Sequence, residues 1–163
     1  MKKKRIAQAL VGLAAIPALL VSTGAGDAFA SSPLITWKNV ATERCLRHNI
    51  YTDTDQVSTG DCGTITTNNA LWIDMQNTDG SWMELGYGIS NGKPYNCLTS
   101  YTDNSVYIEG CSLDYNSYES WWENATQTGW KLQNVATHNI LDSNSAGSVY
   151  AIGDNGGNYQ RWT

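Results

Sequence analysis

Asn39-Val40-Ala41-Thr42-Glu43-Arg44-Cys45-Leu46 recurs as Asn134-Val135-Ala136-Thr137-His138-Asn139-Ile140-Leu141, with Ile140 standing where Cys45 stood. A looser copy, Asn91 to Leu98, lies between them. It keeps the step from Asn to Cys97-Leu98 but carries Gly92, Lys93 and Pro94 in place of Val, Ala and Thr. Self-similarity at a fixed period implies repeated structural units that bury their apolar faces against one another, so three units of one kind are expected.

Outward from each copy the agreement continues. Cys45-Leu46 leads to Val57, Cys62 and Trp72, and Cys97-Leu98 leads to Val106, Cys111 and Trp121. In both, Val precedes the second Cys by five residues and Trp follows it by ten. The third unit gives Leu141, Val149, Asp154 and, after a shorter loop, Gln160-Arg161-Trp162. Leu34-Ile35-Thr36-Trp37 reads as a strand, and the linkers Asn77-Thr78-Asp79-Gly80 and Thr126-Gln127-Thr128-Gly129 carry turn chemistry. With no helical periodicity longer than a turn, the pattern predicts an all-β fold of about twelve short strands. The repeats are expected over about 34–80, 81–126 and 127–163.

Composition agrees. The chain holds seven Trp, nine Tyr and fifteen Gly, with few residues suited to amphipathic helices. Lys2-Lys3-Lys4-Arg5, an apolar run from Ile6 to Val21, and Ala28-Phe29-Ala30 read as a secretory signal peptide over residues 1–30. Pro17 and the short apolar run argue against a membrane anchor. Residues 31–163 are then one domain of a secreted, extracellular, bacterial protein, expected to be a monomer on its own. Removing Lys2, Lys3, Lys4, Arg5 and Asp27 takes Lys+Arg from 10 to 6 and Asp+Glu from 15 to 14, and so net charge from −5 to −8. Nucleic acid and anionic lipid are excluded as partners by that charge.

Four Cys in an exported chain imply two disulfides, which allow three pairings. The repeat makes one bridge within each of the first two units the economical choice, Cys45–Cys62 and Cys97–Cys111. Each closes a loop of about 15 residues, which the chain-entropy estimate values at roughly 3 kcal/mol. The third unit, with Ile140 and Asp154 at those positions, is left to packing.

A Cys-Leu pair, a Val before a second Cys and a unit ending Gln-x-Trp together resemble the ricin B-chain type of β-trefoil lectin module. The likeness covers the domain from Ser31 to Thr163. The resemblance implies a β-trefoil with pseudo-three-fold symmetry, with Trp72, Trp121 and Trp162 as core residues. The Gln position departs from the signature in the first two units, at Ala70 and Glu119.

The resemblance also implies one shallow sugar pocket per unit: an Asp two residues after the first Cys, an aromatic two before the second, and an Asn before the Gln. A sugar offers vicinal hydroxyls to a charged acceptor and an apolar face to a ring. Unit one has Arg47, Gly60 and Asn69 at these positions, and unit two has Thr99, Glu109 and Tyr118. Unit three has Asp142, Ile152 and Tyr159, and no unit is complete. The third is the best candidate, with Asp142 as acceptor, Tyr150 as the ring on the face of Ile152, and Asn158 or Gln160 as the amide.

His48 and His138 lie in no metal-ligand spacing and read as exposed loop residues. Neither a metal nor a cofactor is expected. Asp53 with Asp55, and Asp103 with Asp114, sit in polar turns rather than as a glycosidase pair, and an enzyme is not expected. The sequence therefore points to a non-catalytic module for carbohydrate, of galactose type or another glycan. The alternative is a protein-binding trefoil: an adaptor or subunit of a secreted toxin or enzyme complex, or a protease inhibitor.

Overall fold

A computed structural model describes residues 34–48, 56–63, 69–87, 96–112 and 114–163. The leader expected over 1–30, Asn91 of the middle copy, and Asp53 and Asp55 lie outside them. In both close copies of the repeated stretch the Asn builds the turn. Asn134 Oδ1 accepts from the backbone N–H of Ala136 at 3.2 Å and Thr137 at 3.1 Å, and from Thr137 Oγ1 at 3.3 Å. Asn39 Oδ1 does the same with Ala41 at 3.1 Å, Thr42 at 3.2 Å and Thr42 Oγ1 at 3.3 Å. The Thr hydroxyls then accept from the backbone N–H of Arg44 and Asn139. These bonds hold Glu43 and His138 in the left-handed region, each at φ 58°. An Asx turn of this kind is a side chain standing in for a backbone carbonyl.

The same Asn side chains reach across the molecule. Asn134 Nδ2 donates to Tyr118 O at 2.8 Å, and Asn39 Nδ2 donates to Tyr159 O at 2.8 Å. Each ties its turn to the segment ahead of another unit's terminal Trp. Both are fully buried.

Among the described residues there are eleven strands. They are β1 (Leu34–Ile35), β2 (Cys45–His48), β3 (Val57–Gly60), β4 (Trp72–Gln76), β5 (Trp82–Gly86), β6 (Asn96–Ser100), β7 (Val106–Gly110), β8 (Ser120–Thr126), β9 (Gly129–Asn134), β10 (Ile140–Ser143) and β11 (Val149–Ile152). Five antiparallel hairpins result: β2–β3, β4–β5, β6–β7, β8–β9 and β10–β11. Where a twelfth strand was expected, Trp162 makes single-residue bridges to Asn39 and Trp130. Lys38 and Thr163 exchange backbone hydrogen bonds of 2.7 and 2.8 Å beside it. A one-turn 3-10 helix, Asn158–Gln160, occupies the chain just before. Close approach at this seam needs Gly129, at φ 145°, because a Cβ there would lie 2.5 Å from Trp162 O.

Inside, the three units meet through equivalent residues. Leu46, Leu98, Leu141, Trp72, Trp121 and Trp162 are all fully buried. Trp72 Nε1 donates to Leu46 O at 3.1 Å, Trp121 Nε1 to Leu98 O at 2.8 Å, and Trp162 Nε1 to Leu141 O at 3.1 Å. A buried indole must satisfy its N–H, and each unit does so on its own Leu carbonyl.

Cys45–Cys62 and Cys97–Cys111 are bridged, the pairing the repeat implies. At the corresponding place in the third unit, Asp154 pairs with Lys131 of β9. His48 corrects the sequence reading. It is 1 % exposed on β2, its Nε2 lies 3.0 Å from Leu71 O as donor, and its ring meets Trp72 edge-on at 4.9 Å. Alternation along Cys45–His48 does not reveal this, because three of its four residues are buried. His138 is exposed, as expected.

Asn134→Ala strips acceptors from two backbone N–H groups and donors from buried carbonyls. It is expected to cost about 2–4 kcal/mol in urea unfolding, against under about 0.5 kcal/mol for Thr128→Ala on the β8–β9 turn.

Candidate functional site

β10 and β11 pair so that Asp142 and Tyr150 stand directly opposite each other. Opposed residues project from the same face of the hairpin, so acceptor and ring come together without any loop having to place them. Asp142 is 2 % exposed and its carboxylate is engaged on both oxygens. Oδ1 accepts from the backbone N–H of Ser143 at 2.7 Å, and Oδ2 from Asn155 Nδ2 at 3.1 Å. Burial pushes its pKa up, opposed by those two bonds and by the Gln160 side chain. A carboxylate has about four acceptor positions, so this one keeps acceptor capacity beyond its fixed partners.

Gln160 is fully buried and braces the loop around the site. Its Oε1 accepts from the backbone N–H of Asn155 at 2.9 Å, and its Nε2 donates to Gly153 O at 3.0 Å. It is therefore a support for the site, with its polar ends already used. Tyr150 is half-buried and its hydroxyl donates to Ser143 O at 3.2 Å. Burial, then the negative charge of Asp142, then Tyr159, push the Tyr150 phenol pKa up.

Asp142, Tyr150 and Gln160 thus converge. Asn158 does not join them. It is exposed on the 3-10 turn, and its side chain makes no hydrogen bond among the described residues. Two residues outside the four candidates lie in the same loop: Asn155, which the sequence reading did not name, and Tyr159, which it named only as a departure at the Asn position. Asn155 supplies the amide on Asp142, and Tyr159, 39 % exposed on the adjoining 3-10 turn, is the nearby exposed ring. The signal for Asn155 was its place one residue after Asp154, the position that Ser112 holds after Cys111.

That equivalence explains Glu119, which stands where Gln160 stands. Glu119 Oε2 accepts from the backbone N–H of Ser112 at 2.9 Å and Oε1 from Ser112 Oγ at 2.8 Å. The Glu keeps the acceptor half of the Gln role. In the second unit, however, Thr99 is fully buried, and Tyr118 stacks on Tyr101 at 4.5 Å, which in turn stacks on Tyr107 at 5.8 Å. Its rings are occupied with one another. In the first unit the Arg47 side chain lies over Gly60, close enough that a Cβ there would meet Nη1 at 2.8 Å.

An open cleft of about 640 Å³ lies elsewhere, between Val57, Val106, Tyr107, Gly147 and Val149. The three Val are repeat equivalents, so it marks the meeting of three hairpins. Among the described residues no carboxylate lines it.

No protein-family model matches the chain. Solved structures do. Cry35Ab1 superposes with a TM-score of 0.68 at 14 % identity, over 82 % of this chain and 35 % of its own. A GlcNAcα1-4Gal-releasing endo-β-galactosidase from Clostridium perfringens gives 0.64 at 18 %, over 80 % of this chain and 32 % of its own. SeviL, solved bound to asialo-GM1 saccharide, gives 0.61 at 14 %, over 79 % and 93 %. Likeness to these structures, with three Trp-closed units, decides the architecture. The fold is a β-trefoil. The trefoil spans about a third of the first two proteins and nearly all of SeviL.

If Gln160 braces the site, Gln160→Ala leaves Asn155 N–H and Gly153 O without their partner. It should cost about 1–3 kcal/mol by chemical denaturation. Asn158→Ala should stay within about 0.5 kcal/mol of the parent.

Proposed function

We propose that this β-trefoil is a secreted, non-catalytic carbohydrate-binding module with one weak site in its third repeat. The observation that carries the reading is the pairing of Asp142 with Tyr150 across β10–β11, with Asn155 held on the carboxylate and Tyr159 exposed on the following 3-10 turn. In this arrangement Asp142 accepts from a sugar hydroxyl, Asn155 supplies an amide beside it, and Tyr159 with Tyr150 offers the flat apolar surface for the ring. Hydrogen bonds to an ionised acceptor are the stronger kind, and ring stacking adds area without adding charge.

SeviL, of similar length and the same fold, is a saccharide binder by its own description, which supports the class of ligand. The deep burial of Asp142 limits the contact to one edge of a sugar. Affinity in the millimolar range, about −4 kcal/mol, is therefore expected for a single residue of glycan. The covered positions in the first two repeats support one site per chain.

Titration of the domain with a panel of galactosides and other glycans tests the reading. Tyr159→Ala and Asn155→Ala should each weaken binding by about tenfold, with the fold intact by circular dichroism. Absence of any saccharide binding at millimolar concentration sinks it.

Binding should also fall on acidification. Protonation removes the charged acceptor, and because burial holds the Asp142 pKa above its ordinary value of 3.8, the loss begins at a higher pH than for an exposed Asp. A pH series on the wild type checks the sign.

A further inference from the structure

Away from that site, three carboxylates gather on strands that are distant in sequence. Asp74 of β4 stands opposite Glu84 of β5, and β8, whose Trp121 pairs with Trp82 of β5, brings Glu123. One oxygen from each lies within 4.8 Å of the others. Asp74 and Glu123 are half-buried, while Glu84 is fully buried.

Two further observations separate this group from a solvated acidic patch. Trp37 Nε1 donates to Glu84 Oε2 at 2.8 Å, which fixes that carboxylate, while its buried Oε1 has no N–H or hydroxyl donor and the nearest polar groups are the Asp74 and Glu123 carboxyls. Asp74 Oδ1 and Glu123 Oε1 are likewise buried with no N–H or hydroxyl donor. Nor does a basic side chain answer the charge: among the described residues the ion pairs are Lys38–Glu43 and Lys131–Asp154. A buried carboxylate oxygen left without a donor is costly, and three at one point call for a positive charge between them.

We propose that Asp74, Glu84 and Glu123 form a binding site for a hard divalent cation of the calcium class. All the donors are carboxylate oxygens, which selects calcium or magnesium over softer metals. Their spread selects between those two. Two ligands of one ion are at most about 5 Å apart for Ca²⁺ and about 4 Å for Mg²⁺, and a spread of up to 4.8 Å fits the larger ion without collapse of the strands. The half-exposed sides of Asp74 and Glu123 leave room for water to complete the shell.

No Cys or His spacing announces this site. Asp74 and Glu123 each follow a repeat Trp by two residues, on the same strand face as Trp72 and Trp121. Glu84 has no place in the repeat pattern, and only pairing of three strands brings it in.

Terbium, which takes calcium positions, is the probe. After chelator treatment, excitation of tryptophan should give saturable Tb³⁺ emission, since Trp37 is bonded to a ligand. Ca²⁺ should displace it and, at about a hundredfold excess over Kd, raise the melting midpoint by about 5–10 °C. Glu84→Gln retains an acceptor for Trp37 and should lower Ca²⁺ affinity at least tenfold, as should Asp74→Asn and Glu123→Gln at the less buried positions. Asp103→Asn, on an exposed turn, should leave it unchanged. Wild-type protein that shows neither Tb³⁺ emission nor a Ca²⁺-dependent melting shift overturns the proposal, in favour of carboxyls that share protons. So does calcium binding that survives all three cluster substitutions, or that falls equally in Asp103→Asn.

Discussion

Three hydrogen bonds of one kind hold the architecture: an indole N–H of each terminal Trp to the carbonyl of Leu46, Leu98 or Leu141 in the same unit. The bond forces the end of each unit back onto its beginning. It also places the largest side chain of the unit at the centre, where Leu46, Leu98 and Leu141 complete the packing. Because the acceptor is backbone, the bond survives exchange of the neighbouring side chains. Cys45, Cys97 and Ile140 therefore serve equally well just before the Leu. Disulfides in two units and the Lys131–Asp154 pair in the third are local supplements to this shared closure.

Legibility in the sequence follows from that division. Residues that make the repeat what it is recur at matching places, so the Asn stretches, the Cys pairs of the first two units and the terminal Trp could be read directly. Side chains that differ between units fell outside the pattern. Asn155 bonds Asp142 from the loop ahead of the 3-10 turn, and its only trace in the sequence is its place after Asp154. His48 looked like a loop residue because β2, with three of its four residues buried, shows no alternation. Arg47 lying over Gly60 is a contact across β2–β3 that register explains and spacing does not.

The three units have used one surface position in three ways. In the first an Arg covers it, in the second three tyrosines stack upon each other, and in the third an acid remains with an exposed ring. Asp142 is braced by Ser143, Asn155 and Gln160, so its orientation is fixed before any ligand arrives. Such preorganisation limits the ordering cost of binding, which matters most where the contact area is small.

The seam at Trp162 has a topological meaning. Lys38 and Thr163 are bonded through their backbones, and Trp162 bridges Asn39 on one side and Trp130 on the other. The molecule is a ring cut at one of three similar places, and its cut ends already touch. A circular permutant that links Thr163 to the chain ahead of Leu34, so that β1 and Trp37 are retained, and is reopened at the Asn77–Gly80 turn keeps the same set of partners for every core Trp. The choice of cut then acts on folding order alone, since it decides which of the long-range closures, now spanning more than a hundred residues, becomes a local one.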